Sequence, residues 1–140
     1  MQAYILSEVK TTKDIKEWLD FPAKLYKKDP YYVRPLDNDV ESVFDKTKNK
    51  LFRFGDATRF ILRDNEGNVV GRIAAFYDSK TSSTYQKEEN GQPTGGCGFF
   101  DCIDNQEAAN ILFDAAKKWN ISERSVRNYC AEGRVSGAVL

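Results

Sequence analysis

Thr58-Arg59-Phe60-Ile61-Leu62-Arg63, Asp64-Asn65-Glu66-Gly67-Asn68 and Val69-Val70-Gly71-Arg72-Ile73-Ala74-Ala75-Phe76-Tyr77 form the stretch whose reading decides the fold. Its outer runs are rich in β-branched and aromatic residues, which suit a pleated surface. The five residues between them are turn formers, with a glycine placed where the chain reverses. This composition predicts an antiparallel hairpin.

Working outward toward the C-terminus, Ser79 to Gly96 is polar, Ser/Thr/Gly-rich and without periodicity, so a long loop is expected. Gly98 to Ile103 reads as a further strand. Asp104 or Asn105 then caps a helix whose apolar face carries Ala108, Ile111, Leu112, Ala115 and Trp119 at helical spacing. Asn120-Ile121-Ser122 predicts a break, with Ser122 capping a shorter helix to about Glu132, closed by Gly133.

On the N-terminal side, Ala3 to Val9 reads as a strand, and Thr11 or Thr12 caps a helix carrying Ile15, Trp18 and Leu19. Pro22 either kinks that helix or opens a second one. Asp29-Pro30 ends it, and Tyr31 to Leu36 is extended because a residue before proline avoids the α region. A short helix covers Asp37 to Phe44, and Lys46 to Lys50 is a basic loop. The order of strand, helices, hairpin, strand and helix implies an α/β (α+β) fold. Helices flank a mostly antiparallel sheet, with a helical C-terminal extension.

Composition excludes several functions. The 140 residues are 41% hydrophobic and 30% charged, which suits a globular domain rather than a disordered chain. Lys plus Arg equals Asp plus Glu at 21 each, so no global field draws nucleic acid or anionic membranes. With no histidine, His-based triads and His-ligated zinc are out. Cys97, Cys102 and Cys130 are odd in number and badly spaced for a disulfide scaffold or a metal site, so no metal is expected. No stretch reaches the roughly 20 apolar residues that cross a bilayer. The N-terminus turns acidic too early for a signal peptide. A cytoplasmic location and no membrane partner are the expectation.

Three blocks resemble a group of bacterial proteins in the GNAT acetyltransferase-like superfamily. They are Phe21-Pro22 with Leu25-Tyr26-Lys27, Asp29-Pro30 and Val33-Arg34-Pro35-Leu36; Val70-Gly71-Arg72-Ile73-Ala74-Ala75; and Gly98-Phe99-Phe100-Asp101-Cys102 with the helix to Trp119. The resemblance covers residues 1–119 and implies an incomplete acetyltransferase-like domain. In such a domain the fourth strand and following helix cradle acetyl-CoA, whose acetyl group passes to an amine acceptor of unspecified identity. The resemblance places cofactor contacts on the backbone of Asp104, Asn105, Gln106 and Glu107, at a helix N-terminus suited to an anion. The stretch lacks the glycines of the superfamily pattern, and Asp104 and Glu107 would repel phosphate. Acetyl-CoA, implied by resemblance alone, is therefore expected not to be bound by this chain. The chain is expected to be inactive alone, because the second wall of the cleft is missing from it.

Residues 120–140 instead resemble part of an excisionase or MerR-like helix-turn-helix. That alternative reads the chain as a DNA-binding module with Arg124, Arg127 and Asn128 at phosphates or base edges. Ala115 to Trp119 fits the end of both patterns, so two unrelated coding sequences are expected to meet there. A sheet stopping at its fourth strand is expected to leave an open edge and an uncovered apolar face, inviting self-association. Of the remaining polar residues, Arg72 is expected to face solvent and Asp101 to sit at a solvated strand end. Glu107 reads as a first-turn helix acid, Tyr31 and Tyr32 as packed under the proline segment, and the cysteines as buried or idle thiols.

Overall fold

The computed structural model describes residues 3–78 and 95–131, with side chains described as far as residue 121. The described residues form four strands and three α-helices, in the order β1 (Tyr4–Glu8), α1 (Thr12–Leu25), α2 (Asp37–Phe44), a 3-10 turn (Lys50–Arg53), β2 (Gly55–Asp64), β3 (Val69–Asp78), β4 (Gly96–Cys102) and α3 (Gln106–Ala131). The strands pair antiparallel in the order β1-β2-β3-β4. The fold is α+β, as the order of elements implied.

The hairpin forms where its turn residues stand. Gly67 takes φ +89, the left-handed region open to glycine, and Asp64 Oδ1 accepts from the N–H groups of Glu66 and Asn68 at 2.9 Å each. At the hairpin's open end Gly55 is obligatory: a Cβ there would lie 1.9 Å from the Tyr77 carbonyl oxygen.

Successive strand residues face opposite ways, and both faces of this sheet are covered. Ile61 and Ala74 point to α1 and α2, where they pack with Trp18 and Val40. Leu62 and Ala75 point to α3, where they pack with Ala108, Leu112 and Ala116. This explains why β3 is buried without alternation from Val70 to Ala75. The expected uncovered face is therefore occupied by α1 and α2. Leu51, Phe54 and Phe76 are among the described apolar side chains that stay exposed.

α1 opens with a capping box: Thr11 Oγ1 accepts from the Asp14 N–H, and Asp14 accepts from the Thr11 N–H. Pro22 does not open a second helix; it lies inside α1. α3 opens at Asn105, whose Oδ1 accepts from the Ala108 N–H at 3.0 Å. The turn expected at Asn120-Ile121-Ser122 is not there, because α3 runs through it without interruption. Asn120 is buried and its Nδ2 donates to the Gly96 carbonyl at 3.3 Å, which ties this turn of the helix to the start of β4. A side chain committed to the sheet does not serve as a break signal.

Candidate functional site

The site begins with a missing donor. In an α-helix the N–H of residue i donates to the carbonyl of residue i−4, and proline has none. Pro22 therefore leaves the Trp18 carbonyl without its helical partner. Arg72, reaching across from β3, supplies the donor: its Nη1 lies 2.9 Å from that oxygen. The guanidinium also lies 4.2 Å above the Trp18 ring, and its Nε is 3.0 Å from Asp101 Oδ2 on β4. The other carboxylate oxygen of Asp101 accepts from the Tyr26 hydroxyl at 2.7 Å. Three distant segments of sequence thus close one network on the α1 face of the sheet.

Arg72 and Asp101 were both expected to meet solvent, and neither does. Their side chains are 9% and 14% exposed. Burial pushes the Arg72 guanidinium below its usual pKa, while the Asp101 charge opposes that shift. The hydrogen bond to Asp101, reinforced by burial, lifts the Tyr26 phenol to about 12. Because this pKa is raised on folding, the bond's contribution is complete below about pH 10, the unfolded value for tyrosine, and is lost as pH rises through about 12. Urea midpoints measured from pH 9 to 12 are expected to fall less steeply in Tyr26→Phe than in the parent chain. Equal slopes would show that Tyr26 does not carry the effect.

Phe99 is the second unusual residue. Its φ of 51 is rare for a bulky side chain. Arg72 pairs with Asp101 and Ala74 with Gly98, so two residues of β4, Phe99 and Phe100, oppose Ile73 alone. This is a β-bulge, which disrupts the ladder locally and re-aims side chains. It turns the Phe99 ring onto Trp18 and Phe44, with centroids 5.6 Å from each. Phe100 packs on Phe113 of α3.

Beside Phe99 the α2 face of the sheet opens into an apolar groove of about 300 Å³. Val43 and Phe44 of α2, Leu51 and Phe52 of the 3-10 turn, and Ala74 and Phe76 of β3 are among its walls. Asn49, Asp56 and Asp78 are the polar residues on its lining. Gly96 lets the Phe76 ring lie across β4, since a Cβ there would be 2.4 Å from that ring.

The residues singled out from sequence mostly lie elsewhere. Asp104, Asn105, Gln106 and Glu107 do form the turn from β4 into the start of α3. However, the Asn105 N–H donates to the Ile103 carbonyl at 2.7 Å, and its side chain closes the Ala108 N–H. Gln106 Nε2 donates to Asn110. Asp101 and Glu107 are not a pair: Asp101 faces α1, whereas Glu107 lies near Tyr4, whose phenol is pushed up by burial and then by that carboxylate.

Cys97 is exposed rather than buried, and burial raises the Cys102 thiol. They oppose Ala75 and Gly71, four residues apart on β3 or ~13 Å of strand, well beyond disulfide reach. Tyr31 is 89% exposed and not packed beneath the proline segment, while Tyr32 stacks on Tyr26. The side chains of Arg124, Arg127, Asn128 and Cys130 lie outside the described residues, as do residues 79–94, where most of a loop was expected, and the chain from 132 onward. Sequence reading missed the network and the groove. The one available signal was that Pro22, Tyr26, Arg72, Phe99 and Asp101 all fall within the three GNAT-like blocks.

A four-stranded antiparallel sheet, with α1 and α2 on one face and α3 on the other, is a partial GNAT-like fold. It superimposes with a TM-score of 0.55 on the GCN5-related glucosamine N-acetyltransferase region of a fungal multi-domain β-N-acetylglucosaminidase. That match has 14% identity and covers 83% of this chain and 12% of the other, so it speaks to fold alone. In sequence the chain is 32% identical over 111 residues to Protein YghO of Escherichia coli, covering 76% of this chain and 25% of YghO. It is 31% identical over 111 residues to the bacterial ceramide synthase of Caulobacter vibrioides, covering 79% of this chain and 28% of the synthase. The chain thus spans about a quarter of the length of these curated relatives. No protein-family model matches it. No helix among the described residues is long and apolar enough to cross a membrane.

Proposed function

We propose that this chain is the front portion of an N-acyltransferase-like domain, built to present an amine acceptor rather than to hold the acyl donor. The observation that carries this reading is the β4 bulge at Phe99, set between the Arg72–Asp101 network and the apolar groove, in a fold of GNAT-like type. Homology to a bacterial ceramide synthase supports amide formation as the reaction class. An acyl transfer of this kind forms an N–C bond, breaks a thioester C–S bond and delivers the amine proton to the departing thiolate. A bulge beside the reacting centre supplies backbone N–H groups suited to an oxygen that gains negative charge.

The turn from Asp104 to Glu107 does not suit a pyrophosphate. One of its N–H groups is already used, and two carboxylates stand where phosphate would approach. The isolated 140-residue polypeptide is therefore expected to show no saturable acetyl-CoA binding by calorimetry and no turnover. Stoichiometric retention by the monomer would overturn that part of the reading.

The reaction class is tested by exchange. The homologous segment of the Caulobacter synthase is replaced by this chain's segment, and amide product is followed by mass spectrometry. Product at a measurable rate is expected; a chimera that folds, by circular dichroism, but forms no amide would refute the assignment.

A further inference from the structure

We infer that the outer edge of β1 pairs with β1 of a second copy of this chain, joining the two sheets about a two-fold axis through Leu6.

An edge strand presents a row of backbone N–H and C=O groups. Folded chains blunt such edges with a bulge, a proline, a lysine or a charge that points inward. The two edges of this sheet differ in that respect. β4 carries the bulge at Phe99, and Asp101 beside it points inward to Arg72. β1, Tyr4-Ile5-Leu6-Ser7-Glu8, contains no proline or lysine and runs against β2 without a register shift. Its Ile5 and Leu6 are 56% and 38% exposed. Among the described residues, β2 is the one strand paired with it. The edge open to joining is therefore at β1, not at the fourth strand.

Register decides what that edge presents. The Val9 N–H donates to the Arg59 carbonyl at 2.9 Å. Backbone groups along an antiparallel strand turn alternately to one side and the other. Those of Ile5 and Ser7 therefore turn to β2 like those of Val9, and those of Leu6 turn outward. Side chains alternate between the two faces of the sheet. Leu6, opposite Leu62, lies on the α3 face, whereas Ser7, opposite Ile61, lies with Ile5 on the α1 face. An axis through Leu6, perpendicular to the sheet, lets the two Leu6 residues exchange N–H···O=C bonds while their side chains meet on the α3 face. Ile5 then stands opposite Ser7 of the second copy.

Charge favours a second copy as the occupant. The same axis brings the start of α1 in one copy, with Lys10 and the 84% exposed Lys13, toward the Asp64-to-Asn68 turn of the other, with Asp64 and Glu66. β2 of one copy lies two strand spacings, about 10 Å, from β1 of the other, close enough for exposed charges to interact. The acids of that helix start, Asp14 and Glu17, are engaged by Arg63. Glu8, at the same end, accepts from the Thr58 hydroxyl on the α3 face. The two-fold repeats the match of basic helix start and acidic turn at both ends of the joint.

The test uses the intact chain in sedimentation velocity. Its weight-average mass is expected to rise with concentration from 16.0 kDa toward twice that value, less readily as salt is added. Leu6→Pro deletes the outward N–H and spares the ladder to β2, as prolines on edge strands do. This variant is expected to stay monomeric with unchanged circular dichroism. Leu6→Lys keeps every backbone group but sets two ammonium groups face to face, and is expected to weaken pairing about tenfold. Under mild oxidation, Ile5→Cys chains mixed with Ser7→Cys chains are expected to form linked dimers, because directly opposed residues lie within disulfide reach. The parent chain, whose Cys97 is exposed, sets the background.

A parent that stays monomeric at every concentration would overturn the inference and leave this edge to a different segment. So would pairing as tight in Leu6→Lys as in the parent, a result that stands even if Leu6→Pro fails to fold. Dimers without linkage between positions 5 and 7 would overturn the axis through Leu6.

Discussion

Trp18→Ala is expected to destabilise the chain by about 3–5 kcal/mol, the range for removing a large buried aromatic side chain. Trp18 is 0% exposed and is the hub of the α1 face. Phe44 meets its ring edge-on at 5.5 Å and Phe99 lies at 5.6 Å. The Arg72 and Arg59 guanidinium carbons lie 4.2 and 5.1 Å from the ring centroid. The indole Nε1 has no hydrogen-bond partner among the described residues, so the ring is held for its faces rather than for its donor. Truncation would empty a site on which α2, three strands and two guanidinium groups converge.

Domains of this size are stable by only about 5–15 kcal/mol, so much of that margin would go. Urea denaturation followed by circular dichroism checks this, with Tyr31→Ala as the control. That exposed tyrosine should change stability by no more than about 0.5 kcal/mol. Equal midpoints for the two variants would show that Trp18 does not organise this face.

Arg72→Met is expected to cost a similar amount, about 3–5 kcal/mol, for a different reason. Methionine fills much of the space, so packing is largely kept. What is lost is compensation: Asp101 is left as a half-buried carboxylate whose remaining partner is the Tyr26 hydroxyl, and the Trp18 carbonyl loses its donor. The carbonyl's share can be separated from the charge. Pro22→Ala returns an N–H to the position from which α1 can satisfy Trp18 itself. In the Arg72→Met background this second change is expected to recover about 1 kcal/mol, the ordinary net value of one hydrogen bond. In the parent chain the same change gains less, because Arg72 already occupies that oxygen. A double-mutant cycle by urea denaturation reads the difference as a coupling energy. Zero coupling between positions 22 and 72 would mean that the two residues do not share the carbonyl.

These residues also show where sequence reading stopped. The Asp64-to-Asn68 turn and the apolar runs beside it placed β2 and β3 correctly, because turn chemistry and β-propensity act over a few residues. Thr11 or Thr12, and Asp104 or Asn105, announced the starts of α1 and α3 for the same reason, a cap being a contact across one helical turn; the structure uses Thr11 and Asn105. The range Asp37 to Phe44 matched α2 at both ends.

Asn120-Ile121-Ser122 misled, since an asparagine and a serine read locally as a break. Asn120 instead spends its side chain on Gly96, 24 residues away, and the helix continues. Arg72 misled in the same way. A charged residue in a strand reads as solvent-facing unless its partner is known, and Asp101 is 29 residues distant. The cofactor positions, Asp104 to Glu107, were placed by analogy to a superfamily pattern. Their physical role in this chain is to cap α3.

By itself the sequence determined most of the segments that become strands and helices, their order, the antiparallel hairpin and hence the α+β class. It did so because periodicity, capping and turn preference are written within a few residues of where they act. Only the tertiary structure decided that Pro22 frees a carbonyl for Arg72, that Asp101 is held between Arg72 and Tyr26, and that Phe99 turns at a bulge to edge an apolar groove. Those outcomes depend on register and on the packing of helices over both faces of the sheet. A hydrogen-bond donor, a charge and an aromatic ring carry no mark in sequence of the distant group that will meet them.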